Sequence, residues 1–305
     1  MRRVLAFAAI YLLWGSTFLA IRIGVGEVPP FLLAALRFVA AGLAMFLWML
    51  ARGGRAPSGR QWASAFGLAV LIFVLDYGLL FWAERRVPSG LAAVMMATIP
   101  AFMALSEIVI LRTQRLTVPL AVALLVGLGG VAVLTSRSLG LGGVPIDRAG
   151  AAALVVAAMA WGIASALTRM LPLPPSKVMS SAAQMLAGGV LLGVTALALG
   201  ELRGFDLGAV SLRAWLALLY LVVAGSIVAF TAYVWLIHHE SPTRVATYAY
   251  VNPVVAVVLG YFVGGEALGL RTVLGSLLVL VSVVVITTMR AEPAAEPAAE
   301  SRTPR

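Results

Sequence analysis

Two ionisable side chains, Arg37 and Asp76, lie inside segments that are otherwise apolar. Counted at 1.5 Å per residue, Arg37 lies about 10 Å and Asp76 about 12 Å from the end of its own segment. Because charges in hydrocarbon are costly, the matching depths predict an ion pair between the two side chains. Such a pair could lock two helices together, or it could serve as a gate or bind a zwitterion. Asp76 could instead carry a coupling proton.

A second group of candidates consists of aromatic and amide side chains near the middle of their segments. Trp14, Trp161 and Asn252 fall about 13–20 Å from the segment ends. Asn252 is the single asparagine of the chain, and its amide can both donate and accept. Tyr248 lies one helical turn away on the same face. With Tyr77 as a further member, these side chains predict a substrate-binding pocket for a compact, partly apolar solute.

The same residues also have a purely structural interpretation. The two tryptophans would then be packing anchors, and Asn252 would bond backbone carbonyl groups that Pro253 leaves free, because proline has no N–H to donate. A third ionisable residue, Glu107, falls near the end of its segment and close to Arg112. An interfacial ion pair is expected there.

No residue pattern predicts a catalytic centre, a metal site or a cofactor. His238, His239 and Glu240 are adjacent, but no third type of ligand clusters with them. The chain contains no cysteine, which excludes disulfides and thiolate ligands. We therefore expect neither a metal nor a cofactor.

The composition determines what kind of element holds these residues. Of the 305 residues, 62% are hydrophobic and 11% are charged, and the mean hydropathy is +1.04. Soluble domains are about 25% charged, and a water-soluble fold cannot cover so much apolar surface. Soluble enzymes, disordered chains and fibrous proteins are thereby excluded. The sequence predicts an all-α membrane protein whose surroundings are the lipid bilayer.

Apolar windows separated by proline, glycine and charged residues predict ten transmembrane helices, each near the roughly 20 residues that cross a bilayer. They fall at residues 4–26, 30–51, 62–84, 89–111, 117–135, 148–170, 177–199, 213–238, 243–263 and 268–288. The first window lacks a small-residue cleavage site, so it is interpreted as a retained helix rather than a signal peptide. Residues 291–305 are rich in Pro, Ala and Glu, which predicts a disordered tail.

The positive charge is interpreted as a signal of orientation. A net charge of +10 would suggest nucleic acid in a soluble protein, but basic residues flanking membrane helices orient those helices instead. With the N-terminus inside, twelve Lys and Arg residues of the connections lie on the cytoplasmic side and seven lie outside. Both termini are expected in the cytoplasm of a multi-pass protein, with no nucleic-acid partner.

The two halves of the chain resemble each other. Residues 62–100 align with residues 215–253 at a constant offset of 153, and Trp14 and Arg22 align with Trp161 and Arg169 at an offset of 147. Each half contains five predicted helices, an odd number, so the second copy must enter the membrane inverted. The sequence predicts repeats at residues 1–138 and 148–290, followed by the tail at 291–305. Inverted repeats are typical of secondary transporters, whose substrate site lies at mid-membrane between the halves.

Four stretches carry a resemblance to a known family. YLLWGSTFLAIRIG (residues 11–24), PPFLLAALRFVAAG (29–42), VPSGLAAVMMATIP (87–100) and SPTRVATYAYVNPVVAVVLG (241–260) resemble the EamA branch of the drug/metabolite transporter superfamily, whose members include bacterial inner-membrane metabolite exporters. The resemblance implies ten transmembrane helices in two inverted five-helix repeats, and efflux of amino acids, metabolites or drugs. Family members often carry a glutamate at the position of Glu266, whereas the equivalent position of the first repeat holds Thr113.

The sequence therefore favours an alternating-access exporter of small metabolites, such as amino acids or related zwitterionic or neutral solutes, with or without coupling to protons. An alternative is a proton-coupled multidrug exporter that uses Asp76. An intramembrane enzyme is disfavoured because no hydrolase or metalloprotease motif is present. A passive pore is disfavoured because no helix has a long polar face. The solute, the coupling ion and the oligomeric state stay open.

Overall fold

A computed structural model describes residues 1–113, 115–135, 147–240, 245 and 247–289, without the side chains of residues 135, 237 and 238. Throughout these residues the regular structure is helical and contains no strand, as predicted. Eight helices are long and apolar enough to cross a membrane. The predicted tail, residues 291–305, lies outside the described residues.

The helices follow the predicted windows closely. They are α1 (Arg2–Val25), α2 (Pro30–Ala51), α3 (Gly59–Glu84), α4 (Ser89–Leu111), α5 (Val118–Leu134), α6 (Arg148–Thr168), α7 (Lys177–Ala198), α8 (Leu212–Leu236), α9 (Tyr248–Phe262) and α10 (Leu270–Thr288). Of these, α5 and α9 are shorter than the other eight. The residues just before α9, 241–244 and 246, are outside the described part.

Local sequence explains where several helices begin. Pro30 is the first residue of α2, a position where its missing N–H has no helical partner to lose. Ser58 caps α3 in a reciprocal arrangement with Gln61. The side chains of Ser176 and Ser211 accept from backbone N–H groups at the starts of α7 and α8.

Four helices contain a π-helical segment, in which the backbone bonds skip one residue more than in an α-helix. These segments are Ala9–Leu13 in α1, Val70–Gly78 in α3, Glu107–Leu111 at the end of α4 and Leu221–Val228 in α8. In addition, α4 is interrupted between Met96 and Ile99, just before Pro100. Such irregular turns are frequent at functional sites.

The chain runs back and forth between two faces of one helix bundle. We call the amino-terminal face the end of the bundle that holds residue 1 and the connections at residues 52–58, 112–113, 115–117 and 169–176. The opposite face holds the connections at residues 26–29, 85–88, 199–211 and 263–269. Hydrogen bonds join α1 to the α3–α4 connection at the opposite face and α3 to the α6–α7 connection at the amino-terminal face.

The contacts between the first five and the last five helices form a regular pattern. Helix α1 packs on α8 and α9, and correspondingly α6 packs on α3 and α4. Helix α2 packs along α7, and α5 packs along α10. Small residues permit these approaches: a Cβ added to Gly42 would lie 2.9 Å from the backbone nitrogen of Leu186, and one added to Gly189 would lie 2.7 Å from that of Val39.

The bundle is apolar on the outside as well as the inside. Many large aliphatic side chains are exposed on its surface, among them Leu47, Leu125 and Val194. The buried positions hold many alanines, such as Ala69, Ala158 and Ala182. Small residues inside and large apolar residues outside are expected when lipid, rather than water, surrounds a helix bundle.

Candidate functional site

The guanidinium group of Arg37 is buried inside the bundle, with only 3% of the residue exposed. Its Nε donates to the hydroxyl of Ser226 at 2.9 Å, in the π-helical segment of α8. Its Cζ lies 4.8 Å from the ring centre of Phe38 and 5.4 Å from that of Tyr77. Its Nη1 has no hydrogen-bond partner among the described residues. Arg37 is thus a buried cation held by a hydroxyl and aromatic faces, with one donor group free.

The predicted ion pair between Arg37 and Asp76 is wrong. Asp76 is also buried, at 2% exposed, but within the described residues its Oδ1 has no hydrogen-bond partner and the two side chains form no salt bridge. The neighbouring residue, Tyr77, turns its ring towards Arg37 instead. Consecutive residues point about 100° apart around a helix, so equal depth does not bring two side chains together.

Glu84 is a buried carboxylate that the sequence reasoning missed. It is 0% exposed, and neither carboxylate oxygen has a hydrogen-bond partner in the described part of the chain. The side chain of Arg22 donates to the backbone oxygen of Glu84. Glu84 follows Tyr77 by seven residues, which puts both on one helical face, and that spacing was the signal available in the sequence.

A first aromatic cluster surrounds Trp14. Its ring lies 5.2 Å from that of Tyr248, edge to face, and 5.4 Å from that of Tyr233. The rings of Tyr233 and Tyr248 are 6.0 Å apart. The indole N–H of Trp14 donates to the backbone oxygen of Gly225 at 3.0 Å, so the polar edge of the ring is already engaged. Sequence reasoning had not included Tyr233.

A second aromatic cluster surrounds Trp161. Its ring meets that of Tyr77 edge to face at 6.0 Å, and Tyr77 in turn lies 4.6 Å from Phe38. The two predicted tryptophans therefore belong to different clusters. Trp14, Tyr77 and Trp161 lie well inside their helices and Tyr248 is the first residue of α9, and each of the four is only partly buried. Mid-helix aromatic side chains with residual exposure are what the walls of a solute-binding space require.

Asn252 connects two helices. Oriented with its nitrogen towards α1, the Asn252 amide donates to the backbone oxygens of Ile10 and Tyr11, each at 3.2 Å. Both acceptors lie in the π-helical segment of α1, and the Tyr11 oxygen also accepts from the backbone N–H of Trp14. Sequence reasoning anticipated backbone carbonyl partners but expected them near Pro253. Asn252 is 8% exposed, and both donors of its amide face protein atoms.

Three carboxylates on the opposite face bond to the first residues of distant helices. Glu27 accepts from the N–H and the hydroxyl of Ser211, both at 2.6 Å. Glu201 accepts from the N–H of Leu32 at 2.9 Å and from that of Phe31 at 3.4 Å. The side chain of the third carboxylate, Glu266, accepts from the N–H and hydroxyl of Ser89 at 2.7 and 2.6 Å, and from the N–H of Gly90 at 3.0 Å.

Two of these carboxyl groups have shifted pKa values, in opposite directions. The hydroxyl of Ser211, followed by its backbone N–H, lowers the pKa of Glu27 from its ordinary value. Partial burial raises the pKa of Glu201, although the backbone N–H groups of Leu32 and Phe31 oppose that shift. Because the pKa of Glu27 is lowered and that of Glu201 is raised, the two carboxylates take up protons over different pH ranges.

The amino-terminal face is held by two ion pairs. Arg169 lies 2.9 Å from Glu107, and Arg3 lies 3.1 Å from Glu240. The expected interfacial pair of Glu107 is therefore present, but its partner is Arg169 and not Arg112. Arg112 directly follows α4 in a left-handed conformation, with φ of 54°. Arg169 directly follows the last residue of α6.

The fold, the apolar surface and the buried polar centre define a membrane transport protein, and comparison with known proteins gives its family. Residues 1–136 and 148–288 match the EamA-like transporter family. The chain belongs to that family, within the drug/metabolite transporter superfamily, as the resemblance in the sequence indicated.

The chain is also similar to individual transporters and to a solved structure. The chain is 38% identical to the uncharacterized inner membrane transporter YedA of Escherichia coli (strain K12), over 92% of this chain and 89% of that protein. It is 22% identical to the uncharacterized transporter YoaV of Bacillus subtilis (strain 168), over 93% and 96% of the two chains. A chain of known crystal structure, 24% identical, has the same fold with a TM-score of 0.60 over 93% of this chain and 95% of that chain.

Proposed function

We propose that this protein is an alternating-access secondary transporter that exports small metabolites, namely amino acids or related zwitterionic or neutral solutes, and that it is not an enzyme. The observation that carries the proposal is the centre of the bundle. There, partly exposed aromatic side chains, including Tyr77 and Trp161, lie beside the buried Arg37 with its free Nη1. In a transporter family, apolar walls next to a buried cation with a free donor suit a small amphipathic solute.

The proposal includes two inverted five-helix repeats, residues 1–138 and 148–290, forming ten transmembrane helices. The exchangeable helix contacts support it, since α1 on α8 and α9 corresponds to α6 on α3 and α4. Close approaches support it too. A Cβ on Gly15 would lie 2.7 Å from Val255, and one on Gly162 would lie 2.6 Å from Phe102. These two contacts are related by the offsets of 147 and 153, and two such halves can rock about a central site.

In this proposal Arg37 receives the carboxylate of the solute. Its Nη1 and the aromatic rings around it offer a charge-assisted donor next to apolar walls. The rings of Trp14, Tyr77, Trp161 and Tyr248 form the walls. Because the amide of Asn252, in α9, donates to backbone oxygens of α1, Asn252 positions those two helices rather than contacting the solute.

The proposed location is the cytoplasmic membrane of a bacterium, with both termini in the cytoplasm. The excess of Lys and Arg in the connections of the amino-terminal face supports that orientation. The opposite face, with Glu27, Glu201 and Glu266, is then the outer face. The direction of transport is outward in this proposal, as the family resemblance implies.

A proton-coupled multidrug exporter is the second candidate. It is favoured by Asp76 and Glu84, two buried carboxylates with oxygen atoms that have no hydrogen-bond partner in the described part of the chain. Buried acidic side chains in transporters commonly relay protons. In this version a cationic drug and a proton compete for the same carboxylates.

Growth of a sensitive bacterium on graded toxic amino-acid analogues and on cationic dyes separates the two candidates. Cells expressing the wild-type chain, Trp161→Ala and Asp76→Ala are compared at equal expression. Trp48→Ala is the matched control, because Trp48 is 50% exposed on the bundle surface. Resistance to analogues that only Trp161→Ala and Asp76→Ala lose supports metabolite export. Resistance to dyes instead supports the multidrug exporter. Both candidates are contradicted if the cells gain no resistance and the purified protein also fails to transport the analogues and dyes in proteoliposomes.

A further inference from the structure

The three carboxylates of the opposite face share one property: each joins the first half of the chain to the second. Glu27 follows α1 and bonds to the start of α8. The carboxylate of Glu201 follows α7 and bonds to the start of α2. Glu266 follows α9 and bonds to the start of α4. All three contacts close the same face of the bundle between the two halves.

Each contact is well formed chemically. Both oxygens of each carboxylate accept a hydrogen bond, and the donors are free groups at helix starts, where the first N–H groups have no partner within the helix. The positive end of the helix dipole favours the negative charge there. Glu201 and Glu266 are also partly buried, so water competes with their bonds less than it does at the exposed Glu27.

The repeat-equivalent positions on the amino-terminal face carry no carboxylate. Offset by 147 residues, Glu27 corresponds to Pro174 and Glu201 to Gly54. The second correspondence is supported by Gly53 and Gly200, which precede these residues and share positive φ values of 78° and 73°.

For the third contact, an offset of 153 residues pairs Glu266 with Thr113. The ion pairs of the amino-terminal face join two side chains instead: those of Arg3 and Arg169 are 69% and 59% exposed, and those of their partners Glu240 and Glu107 are 5% and 24% exposed.

We propose that Glu27, Glu201 and Glu266 are the gate residues of the opposite face, which hold that face closed in the solute-free protein and release when it opens. Opening the site at the opposite face must break these carboxylate contacts. Opening it at the amino-terminal face breaks contacts of another kind, which among the described residues include the ion pairs of Arg3 and Arg169. The inference rests on the proposed alternating-access function and adds to it which residues hold the opposite face closed.

A cysteine-free chain makes the gate directly measurable. Ala83→Cys introduces one thiol at a completely buried position at the end of α3, beside the opposite face. The rate at which a maleimide labels the purified full-length protein in detergent then reports opening of that face. We expect slow labelling in this background, about tenfold faster labelling with Glu266→Gln or Glu201→Gln, and a larger increase with both. Glutamine replaces one of the two acceptor oxygens by an NH2 group, which donates and cannot accept from the hydrogen-bond donor that faces it.

Two controls separate gate opening from unfolding or a charge effect. Asp206→Asn removes a negative charge on the same face, but Asp206 bonds only within its own turn, to the N–H of Gly208 at 2.8 Å. It should leave the labelling rate unchanged. Ala65→Cys places the thiol at a completely buried position of α3 near the amino-terminal face, and the glutamine variants should not accelerate its labelling. Acceleration at both cysteines would mean unfolding and would contradict the gate.

The remaining outcomes distinguish the gate from the proposed function. Fast labelling of Ala83→Cys without further substitution, or labelling that Glu266→Gln and Glu201→Gln leave unchanged, overturns the gate even if the protein transports amino-acid analogues. Faster labelling in the variants of a protein that transports none of the analogues or dyes in proteoliposomes keeps the gate and overturns the proposed function.

Discussion

At the scale of single residues, polar side chains of the centre bond to the π-helical segments of neighbouring helices. Asn252 donates to two carbonyl groups in the π-helical segment of α1. In the π-helical segment of α8, the Ser226 hydroxyl accepts from Arg37 and the Gly225 oxygen accepts from the indole of Trp14. Such groups have no water to bond inside a bilayer, so each is stable where a neighbouring helix offers a backbone oxygen or a hydroxyl.

Asn252→Ala tests this role. Two carbonyl groups would lose their donor, so we expect a loss of stability of about 1–2 kcal/mol, seen as a lower melting temperature in detergent. Asn252→Asp should be worse, because a carboxyl group brings acceptor oxygens close to both carbonyl oxygens. Gln184→Ala is the control, because the Gln184 amide bonds only to Ser180 of its own helix and should cost less. Equal losses at the two positions would contradict the structural role of Asn252.

Arg37 should behave in the opposite way. Replacing a buried charge that lacks a charged partner by an apolar side chain of similar length often leaves stability unchanged or raises it. Arg37→Met is therefore expected to keep or raise the melting temperature while it abolishes transport of carboxylate-bearing solutes. Arg37→Lys, which keeps the charge but loses the planar donor array, should retain part of the transport. A fall of several degrees with Arg37→Met would show that the arginine is structural.

At the scale of helices, glycine determines how closely α1 meets α9 and how closely α6 meets α4. A Cβ on Gly162 would lie 2.6 Å from the Cβ of Phe102 and 2.7 Å from its backbone carbonyl carbon. One on Gly15 would lie 2.7 Å from the Cβ of Val255 but 3.1 Å from the nearest backbone atom of a neighbouring helix, the oxygen of Asn252, so this approach is slightly less close. These close approaches bring Trp14 and Trp161, which precede the two glycines, to the middle of the bundle.

Gly162→Ala should destabilise the protein by about 1–3 kcal/mol, because the backbone of α4 has to move away. Gly15→Ala should cost less. Gly129→Ala is the matched control: no atom lies within 4 Å of the added Cβ, so the substitution should be neutral or slightly stabilising through better helix propensity. Thermal unfolding of the three variants in the same detergent gives the ranking, and a neutral Gly162→Ala would contradict the close packing of α6 on α4.

At the scale of the whole molecule, the two faces of the bundle are built differently. Carboxylates capping helix starts join the halves at the opposite face, and ion pairs between side chains join them at the amino-terminal face. In the proposed alternating-access cycle, opening at each face would therefore break a different kind of contact.

Membrane orientation is the matching prediction at this scale. Ala56 and Ala209 are exposed on the amino-terminal and opposite faces respectively, and neither is charged. In intact cells, a membrane-impermeant maleimide should label Ala209→Cys and leave Ala56→Cys unlabelled until the membrane is permeabilised. The reverse result would place the termini outside, and labelling of both in intact cells would contradict a bundle that crosses the membrane.

Much of the architecture could be predicted from the sequence because hydropathy is a property of each segment by itself. The starts of α2, α4, α6 and α7 fall at the predicted residues, where Pro, Ser or a charged residue interrupts an apolar run. The family was also recognisable from local motifs, and it is confirmed. These features do not depend on which helix packs on which.

The partners of the polar residues were decided only by the tertiary structure. Depth along a helix predicted a pair between Arg37 and Asp76, yet Arg37 bonds to Ser226 and lies against Tyr77. Proximity in the chain suggested Arg112 for Glu107, yet the partner is Arg169 from another helix. A sequence determines how far a residue lies along its helix. The direction in which its side chain points, and which helix it meets there, depend on how all the helices pack together.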